Sequence, residues 1–159
     1  MPPHLHLRRK LKDEFVCSEK ELESRFHNFF REIKPGDWIF LEGPLGAGKS
    51  TWARGLVRFL GAQSQFQGSP TFALAHEYET AHSQLIHIDF YRLKSEAEIF
   101  DSGIESYFYE RPKAVILTEW ISQFDDFKNS LSKSGHRIFE IDIAHESEGT
   151  RRFKLWQST

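Results

Sequence analysis

Gly43-Pro44-Leu45-Gly46-Ala47-Gly48-Lys49-Ser50 fits the pattern G-x-x-x-x-G-K-[ST] at every fixed position. Residues of these types at this spacing hold a polyphosphate. The glycines let a short loop turn its backbone N–H groups inward, with Gly46, Ala47 and Gly48 at its centre. Lys49 reaches the β- and γ-phosphates, and the Ser50 hydroxyl takes a place on Mg2+. Four fixed positions recur by accident in under about 1% of chains of this length, given the usual abundance of glycine. The apolar run Trp38-Ile39-Phe40-Leu41 precedes the loop, and the helix-compatible stretch from Thr51 to Leu60 follows it. Strand, loop and helix in that order aim a helix N-terminus at the phosphates.

Two acids stand where such a site needs them. Asp89 ends the apolar run Leu85-Ile86-His87-Ile88, the position of a carboxylate that holds Mg2+ through water. Glu119 follows Ala114-Val115-Ile116-Leu117 and can orient an attacking water, or else pair with a nearby Arg or Lys. Trp120 either stacks on the nucleotide or plugs the rim of the core. Thr71, in Ser69-Pro70-Thr71-Phe72, can ligate Mg2+ or sense the γ-phosphate, although Ser-Pro-Thr is also ordinary turn chemistry. His87 faces the site or is a satisfied core histidine. Arg92 contacts phosphate or pairs with an acid.

The elements that must position these residues are legible in outline. Ser18-Glu19-Lys20-Glu21 has the form of a capping box, and Leu22, Phe26, Phe29, Phe30 and Ile33 follow at helical spacing. Lys34-Pro35-Gly36 stops that helix. Strands are predicted over Phe72 to Glu79 and Leu85 to Asp89, with a short helix from the capping box Ser95-Glu96-Ala97-Glu98 through Phe100. Another helical piece spans Gly103 to Glu110, and a buried strand Ala114 to Leu117. Arg137 to Ala144 and Arg151 to Trp156 alternate as half-exposed strands and are expected to pair as a hairpin. The fold class implied is α/β: a three-layer P-loop NTPase sandwich with a mixed central sheet, and ligand at the carboxyl ends of its strands.

A chain of 159 residues is one domain by size, read as an N-terminal extension of residues 1–15 and a single P-loop ATPase domain over residues 16–159. Residues 1–12 are basic, with His4 and His6, and read as a short mobile extension or an edge segment without a secretory apolar core. No apolar run reaches transmembrane length, so no membrane role is expected. A net charge near −2 gives no global basic field for nucleic acid. The single cysteine, Cys17, excludes an internal disulfide, fits a reducing cytoplasm, and reads as a small buried residue. Fifteen phenylalanines and four tryptophans supply the core, with some left over for a partner surface.

Taken in order, Gly43 to Thr51, Ser69-Pro70-Thr71-Phe72, His87-Ile88-Asp89-Phe90-Tyr91-Arg92-Leu93, Gly103-Ile104-Glu105 and Glu119-Trp120 resemble the TsaE (YjeE) family. The likeness runs from about Ser18 to Leu155. Those proteins are small bacterial P-loop ATPases needed to make threonylcarbamoyladenosine beside the anticodon of tRNAs. The resemblance implies that Lys49 and Ser50 bind phosphate and Mg2+, and that Thr51 adds a phosphate contact. It makes Thr71 a switch-loop ligand near Mg2+ and the γ-phosphate, and Asp89 the metal acid. Glu119 then acts in hydrolysis or its coupling, with Trp120 near the nucleotide. It further implies ATP and Mg2+ as cofactors, and docking on the separate proteins TsaD and TsaB. Hydrolysis is expected to reset that complex, with tRNA as its substrate and slow turnover in isolation. Pro44 departs from the acidic residue common there, and Ser50 from the common threonine; Ser50 keeps the hydroxyl.

A small-molecule kinase is the competing enzyme class, but it needs a second pocket and an arginine-bearing lid, and Arg111, Arg151 and Arg152 are scattered. A GTPase lacks support because no Asn-Lys-x-Asp stretch occurs. A non-catalytic nucleotide-binding module follows if the two acids are structural.

Overall fold

The computed structural model describes residues 8–159, and their seven strands form one sheet in the order β1-β7-β6-β2-β5-β4-β3. The strands are β1 (Arg9–Ser18), β2 (Trp38–Glu42), β3 (Ala75–Glu79), β4 (Gln84–Asp89), β5 (Val115–Glu119), β6 (Ile138–Ser147) and β7 (Thr150–Ser158). Strands β6, β2, β5 and β4 run parallel, whereas β3, β7 and β1 join antiparallel at the two sides. The sheet is mixed, as expected. Helices cover both faces: α1 (Leu22–Glu32) and α2 (Lys49–Phe59) on one, α3 (Glu96–Ser102), α4 (Ser106–Glu110) and α5 (Asp125–Leu131) on the other.

The period of two along β2 sorts the core. Ile39 and Leu41 pack with Phe26, Phe29, Phe30, Trp52 and Leu56 of α1 and α2. Trp38 and Phe40 pack with Ile99, Phe108, Phe127 and Leu131 of α3, α4 and α5. All four strand residues have no solvent exposure, as a parallel strand buried on both faces requires. Each such large side chain contributes about 1.5–3 kcal/mol by leaving water. Phe26 and Trp52 meet edge to face, their centroids 5.5 Å apart.

Helix α1 starts where the capping box predicts it. The Glu21 carboxylate accepts from both the Ser18 N–H and the Ser18 hydroxyl at 2.8 Å, and one 3-10 turn leads into the α-helix. The predicted strand over Phe72–Glu79 is shorter, beginning at Ala75. The Leu74 N–H is taken by the Pro70 carbonyl at 2.6 Å, and Leu74 adopts φ 66, so residues 70–74 turn instead of extending. Helix α5 has no counterpart in the sequence reading; its buried Phe127 and Leu131, four apart, are too few to establish a helical period.

Residues 9–15, placed by the sequence reading in an extension, belong to β1, which pairs with β7 from Arg9↔Ser158 to Ser18↔Thr150. The expected boundary at residues 15/16 therefore falls inside a strand. Arg9 on that strand reaches the buried Glu140 carboxylate at 2.9 Å and stacks on Trp156 at 4.3 Å. Over residues 9–12 the edge-segment alternative holds. Residues 1–7, including His4 and His6, lie outside the described residues.

Candidate functional site

The strand register brings the chemistry to one row. Leu41 of β2 pairs with Glu119 of β5, and Glu119 pairs with Asp89 of β4, so three neighbouring parallel strands end side by side. The loop of residues 43–48 leaves β2 at this edge and delivers the chain into α2, whose first turn carries Lys49, Ser50 and Thr51. Gly46, Ala47, Gly48, Lys49, Ser50, Thr51, Thr71, Asp89, Glu119 and Trp120, all selected from the sequence, border one cavity of about 480 Å³.

The loop's shape explains two of its glycines. A Cβ at Gly43 would lie 2.6 Å from the Ile143 carbonyl oxygen and 3.2 Å from Ala47 Cβ, so only glycine lets the loop pass β6 this closely. The Ala47 N–H closes a four-residue turn on the Pro44 carbonyl at 3.1 Å, and Gly46 at its third position takes φ +75. Pro44 thus contributes a carbonyl where it cannot offer an N–H. Gly43→Ala is expected to lower stability by about 1–3 kcal/mol, the usual cost of forcing extra volume into a packed site. Thermal unfolding with and without nucleotide checks this: a midpoint equal to that of the parent protein would show that the Ile143 backbone gives way freely.

Lys49 is almost fully buried. Its ammonium donates to the Gly43 carbonyl at 2.6 Å and the Pro44 carbonyl at 2.9 Å, and lies 4.5 Å from the centre of the Trp120 ring. Burial pushes its pKa below the ordinary lysine value, against the opposing pull of Glu119, Asp89 and Glu42. Trp120 therefore covers the lysine as well as packing against the α3–α5 core, and it holds φ 65, a left-handed conformation rare outside glycine. Its ring lies 5.1 Å from that of Tyr91.

Asp89 is buried and gathers donors. Its Oδ2 accepts from the Ser69 and Thr71 hydroxyls, each at 2.8 Å, and its Oδ1 from the Tyr91 N–H at 2.9 Å. Glu119, also buried, has Oε1 2.8 Å from His87 Nε2 and 3.4 Å from Ser69 Oγ. Ser69 thus stands between the two acids. Thr51 Oγ1 reaches Glu19 at 3.4 Å. Arg92 is not among the cavity residues; its guanidinium stacks on the exposed Phe72 ring at 4.3 Å.

Among the described residues no three His, Cys, Asp or Glu side chains cluster as a metal site. A cation here would take hydroxyl, phosphate and water oxygens with few carboxylates, the donor set Mg2+ accepts. Ser50, Thr71 and Asp89 fit that set.

Burial pushes the Glu42 carboxyl, at the end of β2, above its ordinary value near 4.5, while its bond from the Ser122 N–H and the charge of Lys128 oppose the rise. A raised carboxyl in the folded state means the charged form is the disfavoured one. The cost is absent at acid pH, where the group is protonated in both states, and grows as pH rises from the unfolded toward the folded value. Glu42→Gln, which keeps an oxygen for Ser122, is expected to raise the thermal midpoint at pH 8 and to leave it nearly unchanged near pH 4. Equal midpoints at both pH values would show that Glu42 carries its charge without cost.

Sequence reasoning missed the cavity's other wall. Arg151 of β7 lies opposite Cys17 of β1 in the strand pairing, and its Nη2 comes within 3.5 Å of the Gly46 carbonyl. Cys17, Ser18, Glu19 and Arg151 all border the cavity, and only the β1–β7 pairing brings these two ends of the chain together. Ser69 had a signal, the Ser-Pro-Thr turn, but no linear feature gave it a partner.

A glycine-rich loop between a central parallel strand and a helix, with acids ending the next two strands on one side of it, defines a P-loop NTPase fold. The family model described as "Threonylcarbamoyl adenosine biosynthesis protein TsaE" matches residues 16–153, and the chain belongs to the TsaE family. The curated tRNA threonylcarbamoyladenosine biosynthesis protein TsaE of Bacillus subtilis is 42% identical over 87 residues, 55% of this chain and 52% of that one. That of Aquifex aeolicus is 34% identical over 113 residues, 67% of this chain and 85% of that one. The match spans only about half the length of the Bacillus relative. The crystal structure of YdiB from Bacillus subtilis superposes with a TM-score of 0.70 at 24% identity, covering 94% of this chain and 88% of that one, a likeness of fold. No helix among the described residues is long and apolar enough to cross a membrane.

Proposed function

We propose that this protein binds ATP with Mg2+ and hydrolyses it as an accessory component of the machinery that makes threonylcarbamoyladenosine in tRNA. The observation that carries the reading is the convergence of Lys49, Asp89 and Glu119 on one cavity, with the Ser69 and Thr71 hydroxyls on Asp89. Lys49, Ser50, Thr51 and the loop amides of Gly46, Ala47 and Gly48 are the phosphate contacts, and Trp120 covers the lysine at the cavity rim. Ser50, Thr71 and Asp89 would hold Mg2+, which would supply neutralisation of phosphate charge when bound. Glu119 orients the attacking water. Thr71 sits on a loop that a γ-phosphate can bias, the design of a nucleotide switch. The tRNA pathway rests on family membership, and docking on TsaB and TsaD on the resemblance noted in the sequence.

The experiment that tests this is ATP hydrolysis by the purified protein alone, then with TsaB, TsaD and unmodified tRNA. Slow basal turnover that rises with the partners is expected. Phosphate transferred to an added small acceptor in place of water would move the protein to the kinases.

A further inference from the structure

His87 is the one fully buried histidine among the described residues, and packing alone does not account for it. It lies on β4 between His76 of β3 and Leu117 of β5, with the Phe66 ring nearly parallel at 6.2 Å. Its Nε2 is 2.8 Å from Glu119 Oε1, while its Nδ1 is buried without a partner. An unpaired buried polar atom is destabilising, and an apolar side chain at this position would avoid that cost. The single bond it does make goes to an acid that borders the cavity. Against a carboxylate oxygen, Nε2 is the nitrogen that must carry the proton, leaving Nδ1 as a lone pair, a cheaper orphan than an N–H.

We propose that His87 is a positioning residue for ATP hydrolysis, its Nε2–H fixing the Glu119 carboxylate so that this acid meets the attacking water in one orientation. The inference rests on the hydrolytic reading above. His87 borders no part of the cavity itself, and it acts only through Glu119. A carboxylate free to rotate still lies in the site but orients water in a fraction of its conformers, and small misplacements of a reacting group cost up to about 100-fold in rate.

The test pairs single-turnover hydrolysis and ATP-analogue affinity in His87→Leu and His87→Gln with nitrogen-15 spectra of the imidazole. Glutamine presents an N–H near the position of Nε2; leucine presents nothing. His87→Leu is expected to slow hydrolysis about 10- to 100-fold with affinity within about 3-fold of the parent, and His87→Gln to recover most of the rate. On a Glu119→Gln background His87→Leu is expected to slow hydrolysis no further. The spectrum of the parent protein without nucleotide is expected to show the Nε2–H form, perturbed by Glu119→Gln. Unchanged hydrolysis in His87→Leu, or an Nδ1–H form, overturns the proposal. Should His87→Leu not fold, His87→Asn, whose amide stops short of Glu119, takes its place against His87→Gln, and equal rates in those two overturn it as well. If the parent protein binds ATP but never hydrolyses it, the hydrolytic reading fails first and the positioning role with it, whatever the spectrum shows.

Discussion

Lys49→Met is expected to weaken ATP binding by roughly 100-fold or more while leaving the unliganded fold about as stable as before. The two halves of that result have separate causes. The ammonium is the cation the structure buries beside the loop, held by two backbone carbonyls at 2.6 and 2.9 Å and covered by Trp120. Hydrogen bonds from a charged donor to phosphate oxygens are worth about 1.5–3 kcal/mol each, so losing two weakens affinity by roughly 100-fold or more. In the unliganded protein the same ammonium is disfavoured by burial, as its lowered pKa records. Methionine fills the apolar stem's space and removes that burdened charge, which offsets the two carbonyl bonds it loses. Thermal unfolding separates the halves in one experiment. The parent midpoint should rise with ATP, by the equivalent of about 2.7 kcal/mol at a hundredfold excess over its Kd, and the variant's at the same ATP concentration by about 0.4 kcal/mol or less. A retained shift would mean that the loop amides alone hold the nucleotide, and that Lys49 belongs to the loop's own architecture.

The loop itself was legible in the sequence because a phosphate cradle is built from consecutive residues: Gly43, Gly46 and Lys49 carry their geometry within one turn and a helix start. Asp89 and Glu119 were legible for a related reason. Each ends an apolar run, and parallel strands in register deliver their ends to one edge. What the sequence could not show is anything fixed by pairing between distant segments. Arg151 meets the loop only because β7 is bracketed by β1 and β6, and residues 9–15 read as an extension because their exposed, charged pattern is what an edge strand and a loose tail share. His87 stayed open between site and core because both readings are half right: it is buried like a core residue and bonded to a residue of the site. Helix α5 was missed since seven residues give at most two turns of period to read.

Glu119→Gln is expected to cut hydrolysis by about 100- to 10,000-fold while ATP affinity stays near that of the parent, the range general acid–base groups command. Glutamine matches glutamate in shape, so the strand end, the Phe90 N–H bond to the residue-119 carbonyl at 3.0 Å and the covering Trp120 should all persist. The chemistry lost is specific, and His87 makes it so. With Nε2–H aimed at the Oε1 position, the glutamine amide settles with its oxygen toward His87 and its NH2 group away from it. An NH2 group can only donate, whereas orienting a water for attack requires an acceptor. The variant should therefore hold ATP for long periods, which makes it the instrument for the partner question too. If ATP binding favours docking on TsaB and TsaD, Glu119→Gln with ATP should remain on that pair in size-exclusion chromatography, and Lys49→Met should leave it. If Glu119→Gln hydrolyses ATP at the parent rate, Glu119 is a structural acid. The water would then have to be oriented by another acceptor of the same cavity, and Asp89, already engaged by Ser69 and Thr71, is the remaining buried carboxylate there.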